Sequence, residues 1–449
     1  MGQLSESQLA TVRALLNSAP DPAVRDLEAT LAEGSERHDV MRAIHAMVAA
    51  EATDRRARNA VLRPIAPLCS RSPARLGGVS FPPAALAGVW RGLKLDRGRN
   101  VELALAGADP RSFEPPTDEV YDELCAEAAA GLRARANEGY AAAAAALERA
   151  GDSVETFATY LDVAPVARSA LNRMHDWLGR LTDDRIASAR LTFRDATAIA
   201  EDAGPKLLEI LYAHLEEPWA ILRLVSAVMQ RPDDRFVASS ELAVFGTRVL
   251  DDIDVQLKLM AAFDGDRGVA SGVSAGAAVR TAALEIQEFD ESMDLSPDGP
   301  WGSRLNRQRK ALVLAIEGRL KAVEAEVAAA LPVTNSGAFH RKGLRGQPRL
   351  TTDPDPRQVQ RGLAFLSLLR EVRIAGERIG FGALWAKTTE QVQARLDTYV
   401  EDLLDKLRTG EGDNLDRVRT FLDVAAEFTG LLTDDRAAQI VRRRVAAAA

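Results

Sequence analysis

The three aspartates in the stretch VLDDIDVQLK come nearest, by residue type and spacing, to a catalytic arrangement. Asp251 and Asp254 are three positions apart in a predicted helix, so their carboxylates lie about one turn apart on one face, with Asp252 beside them. Paired carboxylates can hold Mg²⁺, which would activate a diphosphate substrate. Lys258, however, follows Asp254 at the spacing of an ordinary helical ion pair. We therefore expect salt bridges here, and a helical enzyme with an acidic site at these aspartates is the third hypothesis for function.

The stretch HRKGLRGQPR concentrates positive charge in a predicted loop at 331–356. It contains no acid, two glycines and one proline. Its cations are Arg341, Lys342, Arg345 and Arg349. Phosphates of nucleic acid or lipid, or an acidic protein surface, would be attracted to such a loop. A solvated connector is the simplest interpretation, and these four cations are our first candidates for contacting a partner.

Positive charge is also concentrated in two longer segments, although the chain carries a formal net charge of −8. Segment 55–99 has ten Lys or Arg against one acid, and segment 304–349 has ten against three. Blocks of this kind meet an anionic partner or pair with acids of the same chain. The second set of candidate partner-binding residues is Arg91, Lys94, Arg97 and Arg99. An anion-binding module for a membrane surface or nucleic acid, acting through these two segments, is the second hypothesis.

The usual signatures of catalysis and cofactor binding give no further candidates. No HExxH or CxxC motif and no GK[ST] phosphate loop occurs in the sequence. We therefore expect no catalytic residue, no cofactor and no metal. Cys69 and Cys125 are far apart, which favours reduced thiols and a cytoplasmic location over a disulfide framework. No apolar run is long enough for a membrane span, and the first residues lack the pattern of a signal peptide.

The elements that must position these residues are predicted to be helices. Alanine is abundant and aromatic residues make up only 5% of the chain, a composition that favours helices over sheets. The predicted fold is all-α, an extended array of packed helical hairpins with a long C-terminal helical segment. We predict three parts: an N-terminal helical unit with a Pro/Gly-rich basic region at 1–116, a central helical bundle at 117–270, and a long-helix hairpin at 271–449 that carries the basic loop 331–356.

Two patterns of apolar or small residues predict helix contacts. Gly268, Gly272 and Gly276 are spaced by four residues, which favours close helix packing or a flexible joint. The second pattern is a coiled-coil-like seam made by Val392, Leu396, Val400, Leu403 and Leu407. This seam, within 384–408, makes a homodimer an expectation. The leading hypothesis is a non-enzymatic adaptor or scaffold that binds protein partners through apolar helix faces and segregated charge.

Overall fold

The structure, a computed structural model, is built of packed helices. Helices account for 82% of the chain, which confirms the predicted all-α class. The chain separates into two compact units, unit 1 at 1–230 and unit 2 at 231–449. The residues that the structure describes are 5–34, 39–70, 77–96, 98–110, 117–180, 182–229, 233–334, 346–410 and 415–448.

The described part of unit 1 contains eleven α-helices and two short 3-10 turns. The helices are α1 (Glu6–Ser18), α2 (Asp21–Gly34), α3 (Asp39–Val61), α4 (Pro83–Asp96), α5 (Arg99–Gly107), α6 (Asp118–Ala134), α7 (Glu138–Ala150), α8 (Val154–Leu178), α9 (Asp183–Thr197), α10 (Ala203–His214) and α11 (Ile221–Val228). The 3-10 turns are Ala66–Cys69 and Pro218–Ala220.

Local signals in the sequence explain where several of these helices begin. Thr182 caps α9 by accepting a hydrogen bond from the backbone N–H of Arg185, and the first turn of α9 carries acids. The helical stretch that begins at Thr117 is divided into two helices. Arg135 adopts a left-handed conformation with φ of 48°, and Asn137 then caps α7, so two helices form instead of one.

The Pro/Gly-rich region of unit 1 is packed into its core. Gly88 and Gly92 of α4 lie directly against Ala143 and Tyr140 of α7, where an added Cβ would stand 2.8 and 2.7 Å from those residues. The predicted border at 116/117 therefore falls within a compact unit. The other predicted border, at 270/271, falls inside a helix of unit 2. The division of the sequence into the two units lies at 230/231.

The described part of unit 2 contains nine α-helices, one 3-10 turn and one short β-hairpin. The helices are α12 (Asp234–Ala238), α13 (Ala243–Ala261), α14 (Val269–Ser292), α15 (Pro300–Ala330), α16 (Pro356–Glu371), α17 (Arg373–Ile379), α18 (Gly382–Thr409), α19 (Leu415–Leu432) and α20 (Asp435–Ala448). The turn is Gly265–Arg267, and the strands β1 (Val333–Thr334) and β2 (Gln347–Pro348) pair in antiparallel register.

The small residues of α14 pack closely, as the spacing predicted. An added Cβ on Gly272 would stand 2.1 Å from the carbonyl oxygen of Ala364, and one on Gly276 would stand 2.3 Å from the Cβ of Glu371. Glycine thus lets α14 and α16 approach each other along this face.

The seam of α18 belongs to the core of unit 2. All five of its predicted members are buried, from Val392 to Leu407, and α18 packs against α15, α19 and α20. The seam predicted to join two copies is therefore covered by helices of the same chain. A homodimer stays a prediction that needs another surface. No helix in the described ranges combines the length and the apolar character needed to cross a membrane.

Candidate functional site

The predicted basic residues of α4 and α5 are divided between paired and unpaired side chains. Arg91 donates to Glu138 at 2.5 Å, and Lys94 lies 2.9 Å from a carboxylate oxygen of Asp54. Arg99 is exposed and has no ion pair among the residues that the structure describes. Arg97 lies outside the described residues. Two of the three described cations of this set are therefore already paired with acids of the same unit.

The arginines at the start of segment 55–99 turn towards acids of the same unit. Arg55 contacts Asp21 at 2.9 Å and Glu51 at 2.7 Å, and Arg56 contacts Glu28 at 2.6 Å. Partial burial raises the pKa of Asp21, but the surrounding hydrogen bonds and arginine charges outweigh it, and the pKa lies below its usual value. Intramolecular pairing therefore accounts for much of this basic segment, which weakens the anion-binding hypothesis.

The described residues of the basic loop are 331–334 and 346–356. Its ladder pairs Val333 with Pro348 and Thr334 with Gln347, and the N–H of Arg349 donates to the carbonyl of Pro332 at 2.9 Å. The side chain of Arg349 is exposed and has no ion pair within the described ranges. The predicted binding residues Arg341, Lys342 and Arg345 lie outside the described residues.

The three aspartates of α13 face two different neighbours. Arg304 of α15 donates to both Asp251 and Asp254 at 2.6 Å. Gln308 adds a hydrogen bond to Asp254 at 2.7 Å. Partial burial raises the pKa of Asp254, but these two donors outweigh it, and the pKa lies below its usual value. An arginine already occupies the place between these carboxylates, so the acidic-site hypothesis loses the observation that supported it.

Asp252 lies on the other flank of α13, where it meets Glu285 of α14. Glu285 is only 1% exposed, and one of its oxygens has no hydrogen-bond partner. Burial and the hydrogen bond with Asp252 raise the pKa of Glu285 to about 10, so this carboxyl group is protonated at neutral pH. The sequence analysis did not predict that Glu285 is buried, because an acid in a helix is usually exposed to solvent. The described residues contain no group of three His, Cys, Asp or Glu that could hold a metal ion.

One further sequence match lies in the same helix. GVSAG at 272–276 has the spacing G-x-S-x-G, which in hydrolases places a serine on a sharp turn between a strand and a helix. Here the segment lies inside α14, Ser274 is exposed on the helix, and the flanking glycines pack against α16. The one histidine of unit 2, His340, lies outside the described residues. The segment is therefore a packing element.

Two cavities lie along α2 and α3 of unit 1. A cavity of about 450 Å³ occupies the end near Asp21 and Ala60, and one of about 620 Å³ occupies the end near Ala32 and His45. Arg25 lines both cavities, and we call the two together the α2–α3 groove.

Small side chains explain why the α2–α3 groove is open. Ala29 and Ala32 of α2 face Ala49 and Thr53 of α3, where larger residues would fill the space between two helices. The helices remain joined by a small apolar cluster beneath the groove. Its buried members are Leu16, Val24, Leu31, Val48 and Ala52.

Charge in the α2–α3 groove is almost balanced by pairs within it. Arg55 is bound to Asp21, and Arg56 to Glu28. Arg25 is exposed and makes no ion pair with any residue that the structure describes. The groove therefore combines largely apolar cavities with one cation, Arg25, that has no ion pair among the described residues, and His45 and Asp109 also line its second cavity. The alanines spaced along α2 and α3 are the sequence signal that points to this groove.

Comparisons with known proteins give no relative for this chain. No family model, no curated protein and no solved structure matches it.

Proposed function

We propose that the protein is a non-enzymatic cytoplasmic scaffold that binds a helical segment of a protein partner in the α2–α3 groove. The observation that carries this proposal is the pair of cavities along α2 and α3, which share Arg25 and are lined in part by alanines. Amphipathic helices bind in grooves of this kind through apolar side chains that repeat along one face. The buried, unpaired cysteines Cys69 and Cys125 are compatible with a reducing compartment.

The shape and charge of the groove define the chemistry of the partner. Two apolar cavities flank Arg25, so the partner helix carries apolar residues on both sides of one carboxylate. A carboxylate on Arg25 adds an ion pair without disturbing the pairs of Arg55 and Arg56. Apolar side chains would fill space that unit 1 leaves open, which removes apolar surface from water.

A selection from a random peptide display library tests this proposal on the full chain. The wild-type protein should enrich peptides that share an acid between apolar residues. Ala29→Trp fills the groove, and Ala23→Trp introduces the same side chain at an exposed position of α2 that does not line it. We expect the enriched peptides to bind Ala23→Trp as they bind the wild type, and to bind Ala29→Trp at least about tenfold more weakly.

Two outcomes would overturn the proposal. One is the failure of any shared sequence pattern to emerge over repeated rounds. The other is equal binding of the enriched peptides to both tryptophan variants, which would place their contact elsewhere on the protein.

A further inference from the structure

Tyr140 of α7 lies between two glycines, one on each of two neighbouring helices. An added Cβ would stand 2.7 Å from the ring of Tyr140 at Gly92 of α4 and 2.4 Å from it at Gly131 of α6, so both glycines are needed to admit the ring. The side chain is completely buried, and its hydroxyl oxygen has no hydrogen-bond partner among the described residues. A buried hydroxyl without a partner is uncommon and calls for an explanation.

Two carboxylates lie near this hydroxyl. Asp96 follows Gly92 by one turn of α4, and Glu127 precedes Gly131 by one turn of α6. Burial raises the pKa of the Tyr140 hydroxyl above its usual value, and the charges of Asp96 and Glu127 raise it further. The hydroxyl therefore lies within the electrostatic reach of both carboxylates.

The printed hydrogen-bond partners of these carboxylates are amides. Asn137 donates to Asp96 at 2.8 Å, and Asn100 donates at 2.7 Å to Glu123, which lies one turn before Glu127. We call Asp96, Glu123 and Glu127 the α4–α6 acidic cluster. All three are exposed, and none has an ion pair with any residue that the structure describes. Partial burial raises the pKa of Glu127, the amide of Asn100 lowers it in part, and the charges of Glu123 and Asp96 raise it further.

Elsewhere the same chain places an arginine where two carboxylates approach each other. Arg304, for example, donates to both Asp251 and Asp254 at 2.6 Å. The arginines that join two carboxylates in this way include Arg55, Arg133, Arg304 and Arg361. A guanidinium suits this position because its planar fork can donate to two carboxylates at once. The α4–α6 acidic cluster has the carboxylates of such an arrangement, and no described residue supplies the guanidinium.

We propose that the α4–α6 acidic cluster binds an arginine side chain from a basic segment of a protein partner. The guanidinium lies between Asp96 and Glu127, and the Tyr140 hydroxyl accepts a hydrogen bond at the base of the site. Because this hydroxyl is buried in the free chain, the exposed side chains of Asp96 and Glu127 turn outward when the ligand enters. The inference does not depend on the α2–α3 groove, since none of these residues lines either of its cavities.

Isothermal titration calorimetry of the full chain with an oligo-arginine peptide tests this proposal. The variant Asp96→Asn/Glu127→Gln should bind the peptide at least about tenfold more weakly than the wild type. Asp195→Asn/Glu201→Gln is the matched control, because it removes the same charge from exposed residues of unit 1 outside α4, α6 and α7. We expect the control to bind within about twofold of the wild type, since distant exposed charges are screened by salt.

A second peptide tests the chemistry of the ligand. An oligo-lysine peptide of the same length should bind the wild type at least about threefold more weakly than oligo-arginine, because an ammonium has no planar fork that matches two carboxylates.

Tyr140→Phe tests the hydroxyl. The variant keeps the ring between the two glycines and removes only a group that has no hydrogen-bond partner in the free chain. It should leave the urea midpoint of unfolding unchanged and weaken the binding of oligo-arginine about threefold.

Arg97 follows Asp96 in the sequence and lies outside the described residues, so it has an arm of its own. Arg97→Gln should change the affinity for oligo-arginine by less than about twofold. Binding that becomes about tenfold tighter would show that the chain's own arginine occupies the cluster, which would overturn the proposal.

Three other results would also overturn it. They are equal binding of oligo-arginine to the cluster variant and to the charge control, equal affinity of the wild type for the two peptides, and binding that Tyr140→Phe leaves unchanged.

Discussion

Gly276 and Gly318 are both glycines in long helices of unit 2, and their surroundings are opposite. A Cβ on Gly276 would stand 2.3 Å from the Cβ of Glu371 in α16, whereas one on Gly318 would have nothing within 4 Å. Gly276 is needed because α16 packs directly against it, whereas no described residue packs against Gly318. A glycine inside a helix therefore indicates close packing only where a neighbouring element lies against it.

The alanines of unit 1 extend the same comparison. Ala143 of α7 is completely buried beneath Gly88 of α4. Ala29 of α2 is exposed and lines the α2–α3 groove. The covered small residues belong to the core, and the exposed alanines of α2 line the groove on which the proposed function rests.

The largest expected effect distinguishes the two glycines directly. Gly276→Leu forces a large side chain into the contact between α14 and α16, and we expect it to lower the free energy of unfolding by about 3 kcal/mol. Gly318→Leu places the same side chain in open space, where a change within about 1 kcal/mol is expected. Urea denaturation followed by circular dichroism measures both. Equal losses for the two variants would show that the comparison is wrong.

A smaller change in the free energy of unfolding is expected from substituting Glu285, the buried acid of α14, than from Gly276→Leu. The folded-state pKa of Glu285 is raised to about 10, so its stabilising protonated form is fully present below its unfolded pKa and is lost as the pH rises towards 10. Glu285→Gln keeps a hydrogen-bond donor for Asp252 and removes the titration. We expect this variant to be about 2 kcal/mol more stable than the wild type at pH 8, with the difference shrinking towards pH 5.

Glu291→Gln is the control for that measurement, because Glu291 is exposed on the same helix. Its unfolding free energy should follow that of the wild type across the pH range. If Glu285→Gln shows the same pH dependence as this control, Glu285 does not carry a buried proton.

The smallest expected effect concerns helix propensity alone. Gly318→Ala should raise the free energy of unfolding by about 0.5–1 kcal/mol at low protein concentration, because alanine loses less backbone entropy than glycine and meets no neighbour there. Gly276→Ala should lower it, because its methyl group meets Glu371. Opposite signs in urea denaturation support the comparison, and a loss of stability in both variants contradicts it.

The sequence allowed the class of fold and many helix ends to be predicted, because capping and apolar periodicity are local. Thr182 and Asp233 cap the helices that follow them through their side chains, and the spacing of Gly272 and Gly276 predicted a close contact. The break at Arg135 was missed, because a left-handed arginine gives no local signal of the kind that glycine gives.

The site residues were harder to predict, because their environment is set by residues distant in sequence. Nothing near Asp254 shows that Arg304 pairs with it across 50 positions, and nothing near Arg55 shows that Asp21 faces it. A cation counted in a sequence is therefore a candidate for binding only until its partner in the fold is known. Arg25 was not singled out for the same reason, since it became distinctive only when its neighbours proved to be paired.

We propose that the α2–α3 groove binds a helix through apolar contacts on either side of Arg25. A binding titration with a peptide selected on the wild-type chain tests this proposal. We expect Arg25→Glu to weaken binding and a peptide with its acid changed to Lys to restore binding to that variant, because the ion pair is then re-formed with reversed charges. Ala23→Trp should bind the original peptide as the wild type does. Unchanged binding of the original peptide to Arg25→Glu, or no rescue by the peptide with the reversed charge, would contradict the proposed ion pair with Arg25.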